Sequence, residues 1–275
     1  MKPAAFDYVR AESIEEALDV LAQEGADARV LAGGQTLIPM LSMRMARPSV
    51  VVDIMRLPEL DRIESAEAAI RVGAAVRQRD VEHCPDLVSN QPLLAAALPW
   101  IGHAQTRGRG TVCGSVAHAD PSAELPLVLI ALNGEIELRS RRRSRRVAAE
   151  SFFTGIMSTD CQPDEMIEAV RFPTARAGAG YAFREIGRRH GDFAIVACAA
   201  VVDARTARLA ISGVADRPTA RDLPLPDDPG LDDALDAFAW DLEARDDLHA
   251  TAEYRRQLVR RLGRQTLEEA ARCRG

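Results

Sequence analysis

Two glycine-centred turns carry the residue types best suited to chemistry in this sequence. Leu31-Ala32-Gly33-Gly34-Gln35-Thr36-Leu37 follows a strand-like run and precedes a short apolar segment. Gly110-Thr111-Val112-Cys113-Gly114-Ser115 follows a loop holding two further glycines, Gly102 and Gly108. Glycine lets the backbone turn sharply and lets a ligand approach its N–H groups. Consecutive N–H groups near a helix start form a nest for an anion such as a phosphate. The hydroxyls of Thr36, Thr111 and Ser115 add donors. Two such turns could grip the two phosphates of one diphosphate. Each, taken singly, also reads as an ordinary tight turn.

Other familiar arrangements fail. Gly108-Arg109-Gly110 invites a dinucleotide-fold reading, but Cys113 stands where the third glycine belongs. No GxxxxGK[ST] motif occurs, so a P-loop is excluded. His118, Asp120 and Glu124 could act as metal ligands or as an acid/base pair, could bond sugar hydroxyls, or could mark Asp120 and Ser122 as helix caps. A single nearby histidine argues against a metal. Arg139–Arg146 packs six arginines into eight residues. This run fits a solvated hairpin turn better than a nucleic-acid surface, given a formal net charge of −6 and 4% aromatic residues. Arg184, Arg188, Arg189, Asp192 and Phe193 lead into an apolar strand, where a ring such as Phe193 could cover a flat ligand and Arg184 could pair with its polar edge.

These residues need a scaffold, and the rest of the chain outlines one. It has 275 residues, 47% of them apolar and 28% charged. That is globular composition of a length that suits two domains. The apolar runs Leu125–Leu132 and Ala194–Val202 are too short to cross a bilayer. The N-terminus turns acidic too early for a signal peptide. Five scattered cysteines form no ligand pairs, which fits a reducing cytoplasm and a chain holding no iron–sulfur cluster or structural zinc.

Strands are expected at Phe6–Val9, Arg29–Ala32, Val50–Ile54, Ile70–Ala74, Glu135–Arg139 and Met166–Phe172. Ser13 and Glu16 form a capping box before a helix that stops at Gly25. Further helices are expected around Thr36–Met43, over Pro92–Ile101 and over Ser122–Asn133, with Gly102–Gly114 as loop. Thr174–Gly180 is the flexible boundary. Beyond it, strands Tyr181–Ile186, Phe193–Asp203 and Arg208–Gly213 precede a proline-rich loop, Pro218–Gly230. The chain is then helical to its end. Strands followed by helices make an α+β layout.

The combination is more specific than its parts. LAGGQTLIPMLSMR, VVDI, GTVCGSVAHADPSAELP, ESFFTG, YAFREIGRRHGDFAIV and the tail DDLHATAEYRRQLVRRL, in that order, resemble the FAD-binding medium subunit of molybdenum hydroxylases. That family includes the carbon monoxide dehydrogenase flavoprotein subunit and the FAD domain of xanthine dehydrogenase. The resemblance implies an α+β fold: a two-subdomain FAD-binding domain of the vanillyl-alcohol-oxidase-like (PCMH) type, residues 1–173, split near Ile54. A small C-terminal α+β domain, residues 178–275, would follow with a three-stranded sheet plus helices. The glycine turns would hold the FAD diphosphate through Ala32, Gly33, Gly34, Gln35 and Thr36, and through Thr111, Cys113, Gly114 and Ser115. Leu31 and Leu37 would flank the first turn, and Ile101 and Gly102 would line the cofactor. Glu124 would face the sugar portion and His118 would lie nearby. Ile167 would approach the ring or the adenine, Arg184 occupies a position that is basic in relatives, and Phe193 would shield the isoalloxazine. Many relatives have glycine where Cys113 stands, which would strain cysteine if that position needs φ > 0.

No catalytic residue and no metal ligand is expected. The resemblance further implies a cytoplasmic heterotrimer. A large partner would carry the molybdenum cofactor, a small partner two [2Fe–2S] clusters, and electrons would leave through FAD to NAD+, a quinone or another acceptor. A stand-alone flavin oxidase of related fold, a flavin-free binding module and a nucleic-acid-binding protein remain as alternatives.

Overall fold

The computed structural model describes residues 2–274, so Met1 and Gly275, the outer limits of the two expected domains, lie outside the described residues. The chain opens with β1 (Asp7–Arg10), α1 (Ile14–Glu24), β2 (Ala28–Leu31), α2 (Leu37–Ser42) and β3 (Val50–Asp53). The three strands form a parallel sheet in the order β1-β3-β2, with the β-branched run Val50–Val52 buried at its centre. The α1 helix buries Ile14, Ala17, Leu18 and Leu21 on one stripe. Ser13 Oγ accepts from the Glu16 N–H at 3.1 Å, and Glu16 reaches back to the N–H of Glu12, one residue before the position a capping box uses.

A second layer contains β4 (Ile63–Ser65), β5 (Ala69–Gly73), α3 (Gln78–Glu82), α4 (Leu87–Asn90), α5 (Pro92–Ala97), α6 (Ala104–Arg107), α7 (Val112–His118), α8 (Glu124–Leu132), β6 (Glu135–Arg139), β7 (Ser144–Ala148), α9 (Ala149–Phe152), β8 (Phe153–Gly155), β9 (Ser158–Thr159) and β10 (Met166–Pro173). Its main sheet is antiparallel in the order β4-β5-β10-β6-β7. A register shift between Ile167 and Ala169 bulges the central strand β10. Pro99 ends the expected helix Pro92–Ile101 early: α5 stops at Ala97 and a 3₁₀ turn covers Leu98–Trp100. The expected loop Gly102–Gly114 holds α6 and the first residues of α7. The arginine run is a hairpin between β6 and β7, as expected. Arg139, Arg141, Arg145 and Arg146 pair with Glu15 and Glu168, with Asp19, with Asp160 and Glu165, and with Glu137.

The last layer holds β11 (Gly180–Ile186), β12 (Val196–Val202), β13 (Ala207–Ser212), β14 (Thr219–Leu223), α10 (Leu231–Asp241) and α11 (Ala252–Arg272). Its sheet has four antiparallel strands in chain order rather than the expected three. The extra strand, TARDL, is a charged edge bracketed by Pro218 and Pro224, and so lacks the apolar alternation that marks a strand. One face of this sheet packs on α10 and α11, the other on α5 and α8. The α8 helix is apolar all round because it lies between this sheet and β10.

Candidate functional site

A cleft of about 780 Å³ runs along the two glycine turns, and every residue expected at the site except Leu31 and Arg184 lines it. The turns, far apart in the chain, touch. A Cβ placed on Gly33 would collide with the Arg109 carbonyl and sit 2.7 Å from Gly110 Cα, so only glycine fits between these two backbones. Gly34 follows at φ +72°, a conformation that favours glycine.

The first turn leaves donors free. Among the described residues, none of the N–H groups from Gly33 to Leu37 has a backbone acceptor. Thr36 opens α2 without a side-chain cap, so its hydroxyl does not consume them. The side chain of Gln35 folds back, its Nε2 donating to the Gly33 carbonyl at 3.3 Å. Leu31 lies behind the turn, with Cδ1 3.4 Å from the Cβ position of Gly34, and supports the turn without lining the cleft.

The second turn becomes the start of α7. Thr111 Oγ1 accepts from the Gly114 N–H at 3.0 Å, and the Thr111 carbonyl accepts from the Ser115 N–H at 3.2 Å. The Gly114 N–H is therefore engaged in capping. Cys113 sits inside the helix with φ outside the left-handed region, so the departure from glycine brings no strain. Its thiol points into the core, 3.5 Å from the Val72 carbonyl, and burial pushes it up to about 12. It is inert at neutral pH.

The remaining expected residues converge from other elements. Ile101 and Gly102 lie between the 3₁₀ turn and α6, His118 at the end of α7, Ile167 beside the β10 bulge. Phe193 stands at the mouth, 64% exposed, on a segment that reaches the opposite wall: a Cβ on Gly191 would meet the His103 ring at 2.7 Å. Asp120 Oδ1 accepts from the Ser122 N–H at 2.8 Å and shapes the approach to α8, where Ala123 is the cap. Glu124 is the first residue of α8 and 5% exposed; burial, with the Asp120 charge adding, raises its carboxyl to about 7.

Arg184 is placed elsewhere. It points toward α11 and pairs with Glu269 at 2.6 Å, because strand alternation turns it away from the cleft. Arg184→Ala is expected to leave flavin uptake unchanged and to cost less than about 1 kcal/mol, the range of exposed ion pairs. Paired flavin and urea titrations check both.

Sequence reasoning missed Gln78. It is 4% exposed at the start of α3, donates to the Thr111 carbonyl at 3.5 Å, and leaves Oε1 buried without a partner beside the cleft. Nothing in its surroundings, VRQRDVE, marks it. The segment Thr159–Met166, also in the wall, was missed because its role comes from the arginine hairpin behind it. The cleft, the open N–H groups of the first turn and an orphaned buried oxygen together fit a ligand with a phosphate bridge and hydroxyls. No group of acidic, histidine or cysteine side chains that could hold a metal occurs among the described residues.

Comparison with known proteins agrees. Residues 4–175 match the family described as FAD binding domain in molybdopterin dehydrogenase, and residues 181–270 the CO dehydrogenase flavoprotein C-terminal domain. The chain is 37% identical to the 6-hydroxypseudooxynicotine dehydrogenase complex subunit alpha of Paenarthrobacter nicotinovorans, over 98% of this chain and 96% of that one. It is 32% identical to the carbon monoxide dehydrogenase medium chain of Afipia carboxidovorans, over 98% of each. A solved structure of carbon monoxide dehydrogenase from Hydrogenophaga pseudoflava superposes with a TM-score of 0.91 at 31% identity, covering 99% of this chain and 100% of that one. With two glycine turns locked backbone to backbone along a cleft of about 780 Å³, the chain belongs to the family of FAD-binding medium subunits of the molybdenum hydroxylases, oxidoreductases that include carbon monoxide dehydrogenase.

Proposed function

We propose that this chain is the electron-transfer subunit of a heterotrimeric molybdenum hydroxylase. It takes electrons from [2Fe–2S] clusters of a small partner, downstream of a large molybdenum-cofactor subunit. It delivers them to NAD+, a quinone or another acceptor, in the cytoplasm. Residues 1–173 serve as the FAD-binding part, with subdomains of about 1–54 and 55–173, and residues 178–275 as the C-terminal part. When bound, FAD supplies a centre that takes electrons singly and gives them up in pairs.

The observation that carries the reading is the contact of Gly33 with Arg109 and Gly110. It brings the free N–H groups of Gly33–Leu37 and the first turn of α7 onto one diphosphate. Gln78 Oε1 and Glu124 meet hydroxyls of the sugar portion. Ile101 and Ile167 pack on flat surfaces of the ligand, and Phe193 covers the mouth and excludes water. Because neither turn contains lysine, affinity comes mainly from backbone donors. The chain contributes binding, orientation and electrostatic tuning.

The test is purification from the native host. The expected result is two co-purifying partners, one larger and carrying molybdenum, with one flavin per copy of this chain. A flavin-containing chain that purifies alone and turns over its own small substrate would contradict the proposal.

A further inference from the structure

The connection from β11 to β12 leaves the sheet and crosses to the far wall of the cleft. Its base is pinned, since the Ile195 N–H donates to the Ile186 carbonyl at 2.8 Å. Beyond that bond, Gly191, Asp192 and Phe193 line the cleft on one side, and Ile101, Gly102 and Thr106 line it on the other. The two sides meet at Gly191. Its φ is +88°, and a Cβ there would lie 2.7 Å from the His103 ring and 2.9 Å from the Gly102 carbonyl. Next to it, the His190 ring packs on Trp100 with centroids 5.0 Å apart, and Trp100 leans in turn on Phe183 of β11 at 6.3 Å. The connection therefore bridges one end of the cleft.

Little else holds the bridge down. Among the described residues, no hydrogen bond or ion pair joins residues 187–194 to residues 98–109. The bonds of the bridge are internal: the Asp192 N–H donates to the Arg189 carbonyl at 3.1 Å, and the Arg189 side chain pairs with Asp192 at 3.6 Å. Arg188, Arg189, His190 and Phe193 are exposed, and Gly187 and Gly191 bracket the stretch from Arg188 to His190. A segment with few buried contacts, no bonds to the wall it reaches and a pinned base opens locally, at a fraction of the cost of global unfolding. Aromatic packing is its main attachment.

We propose that residues 187–194 form a flap that gates exchange of the ligand in the cleft, and that His190 packed on Trp100 is its latch. Closed, the flap holds the ligand beneath Phe193 and against Ile101. Open, it gives the cleft a passage at this end, for entry and release alike. His190 is a positioning residue: it touches Trp100 and acts through the placement of Phe193. The flap and its latch stand on this chain alone. That the retained ligand is a flavin nucleotide rests on the proposed function. A gate has a kinetic signature that a ligand contact lacks. Weakening a latch that forms with and without ligand speeds both directions and leaves the dissociation constant in place, whereas losing a contact made only to the ligand speeds release alone.

Stopped-flow fluorescence measures FAD entry and release on the full chain, for wild type, His190→Ala and Gly191→Ala. His190 is exposed, so its truncation leaves the core intact. Loss of this one ring pair is expected to raise the entry and release rates together by roughly 2- to 12-fold, with the dissociation constant moving by less than about twofold. Gly191→Ala drives the tip off the Gly102 carbonyl, a backbone atom, and should raise both rates further. Trypsin gives a readout independent of flavin, because cleavage after Arg188 or Arg189 requires the flap to lift and extend. In the flavin-free chain, cleavage there should quicken in His190→Ala by the same factor as the two rates. Release that quickens while entry does not, or rates unchanged in both variants, would overturn the gate. Equal cleavage of wild type and His190→Ala would overturn the latch. Faster cleavage in a chain that takes up no FAD would sink the flavin reading and leave the latched flap standing.

Discussion

Gly33→Val is expected to abolish flavin uptake while the rest of the chain stays folded. The added Cβ would enter the Arg109 carbonyl and press on Gly110 Cα, and both are backbone atoms that no rotamer change can move aside. Relief requires the two turns to separate, which destroys the joint N–H cradle. Overpacking of this kind costs roughly 1–3 kcal/mol, so melting should drop by several degrees as binding is lost. Gly34→Ala is the control. Its Cβ would find Ile38 Cγ1 at 3.1 Å, a flexible side chain, and the penalty comes from φ +72°, about 1–2 kcal/mol. Flavin absorbance per chain should therefore be absent in Gly33→Val and reduced in Gly34→Ala. Full occupancy in Gly33→Val would mean that the turns do not grip the ligand together.

Arg145→Ala is expected to produce the largest stability loss outside the core. The guanidinium bonds Asp160 at 2.5 Å and Glu165 at 2.7 and 2.8 Å, and the Glu165 side chain is 1% exposed. Truncation leaves a buried carboxylate without its main partner, at a cost of about 3–5 kcal/mol. Glu165 also accepts from the Gln162 N–H at 3.0 Å, so the loss loosens a stretch that walls the cleft, and flavin affinity should weaken with it. The pH dependence has a definite sign. Burial alone would raise the Glu165 carboxyl, but the Arg145 hydrogen bonds hold it below its ordinary value of 4.5. A depressed carboxylate contributes stability above its unfolded value and loses it as pH falls through the folded value. The gap between wild type and Arg145→Ala should therefore be full at pH 7 and shrink below about pH 4.5. Urea titrations at pH 7 and pH 4 measure it. Adding Glu165→Gln should recover part of the loss, since the stranded charge then disappears.

The contrast between these two sites shows what the sequence made legible. Gly33 stands out in sequence because Gly33-Gly34 breaks an apolar run, and that local signal is the structural cause as well. The strands β1, β2 and β3, though not their parallel pairing, α1 with its Ser13 cap, and the end of α8 at Asn133 (φ +54°) with the Gly134 N–H on the Leu129 carbonyl were readable for the same reason. Arg145 was visible only as part of a charged run, because its partners Asp160 and Glu165 join it through tertiary contact across the hairpin. Gln78 was invisible, since one buried amide between two arginines leaves no periodic trace. Arg184 was misplaced because pattern alone does not tell which strand face meets the cleft and which meets α11. The helix α7 was hidden by the glycines around it, although Thr111 capping onto Gly114 is what starts it.

A crystal structure of the chain grown with FAD measures the central claim most directly. The expected result has the diphosphate within hydrogen-bond distance of backbone N–H groups between Gly33 and Leu37 and at the first turn of α7, with the Gly33–Arg109 contact intact beneath it. A flavin nucleotide seated elsewhere, with both glycine turns facing only solvent, would contradict it.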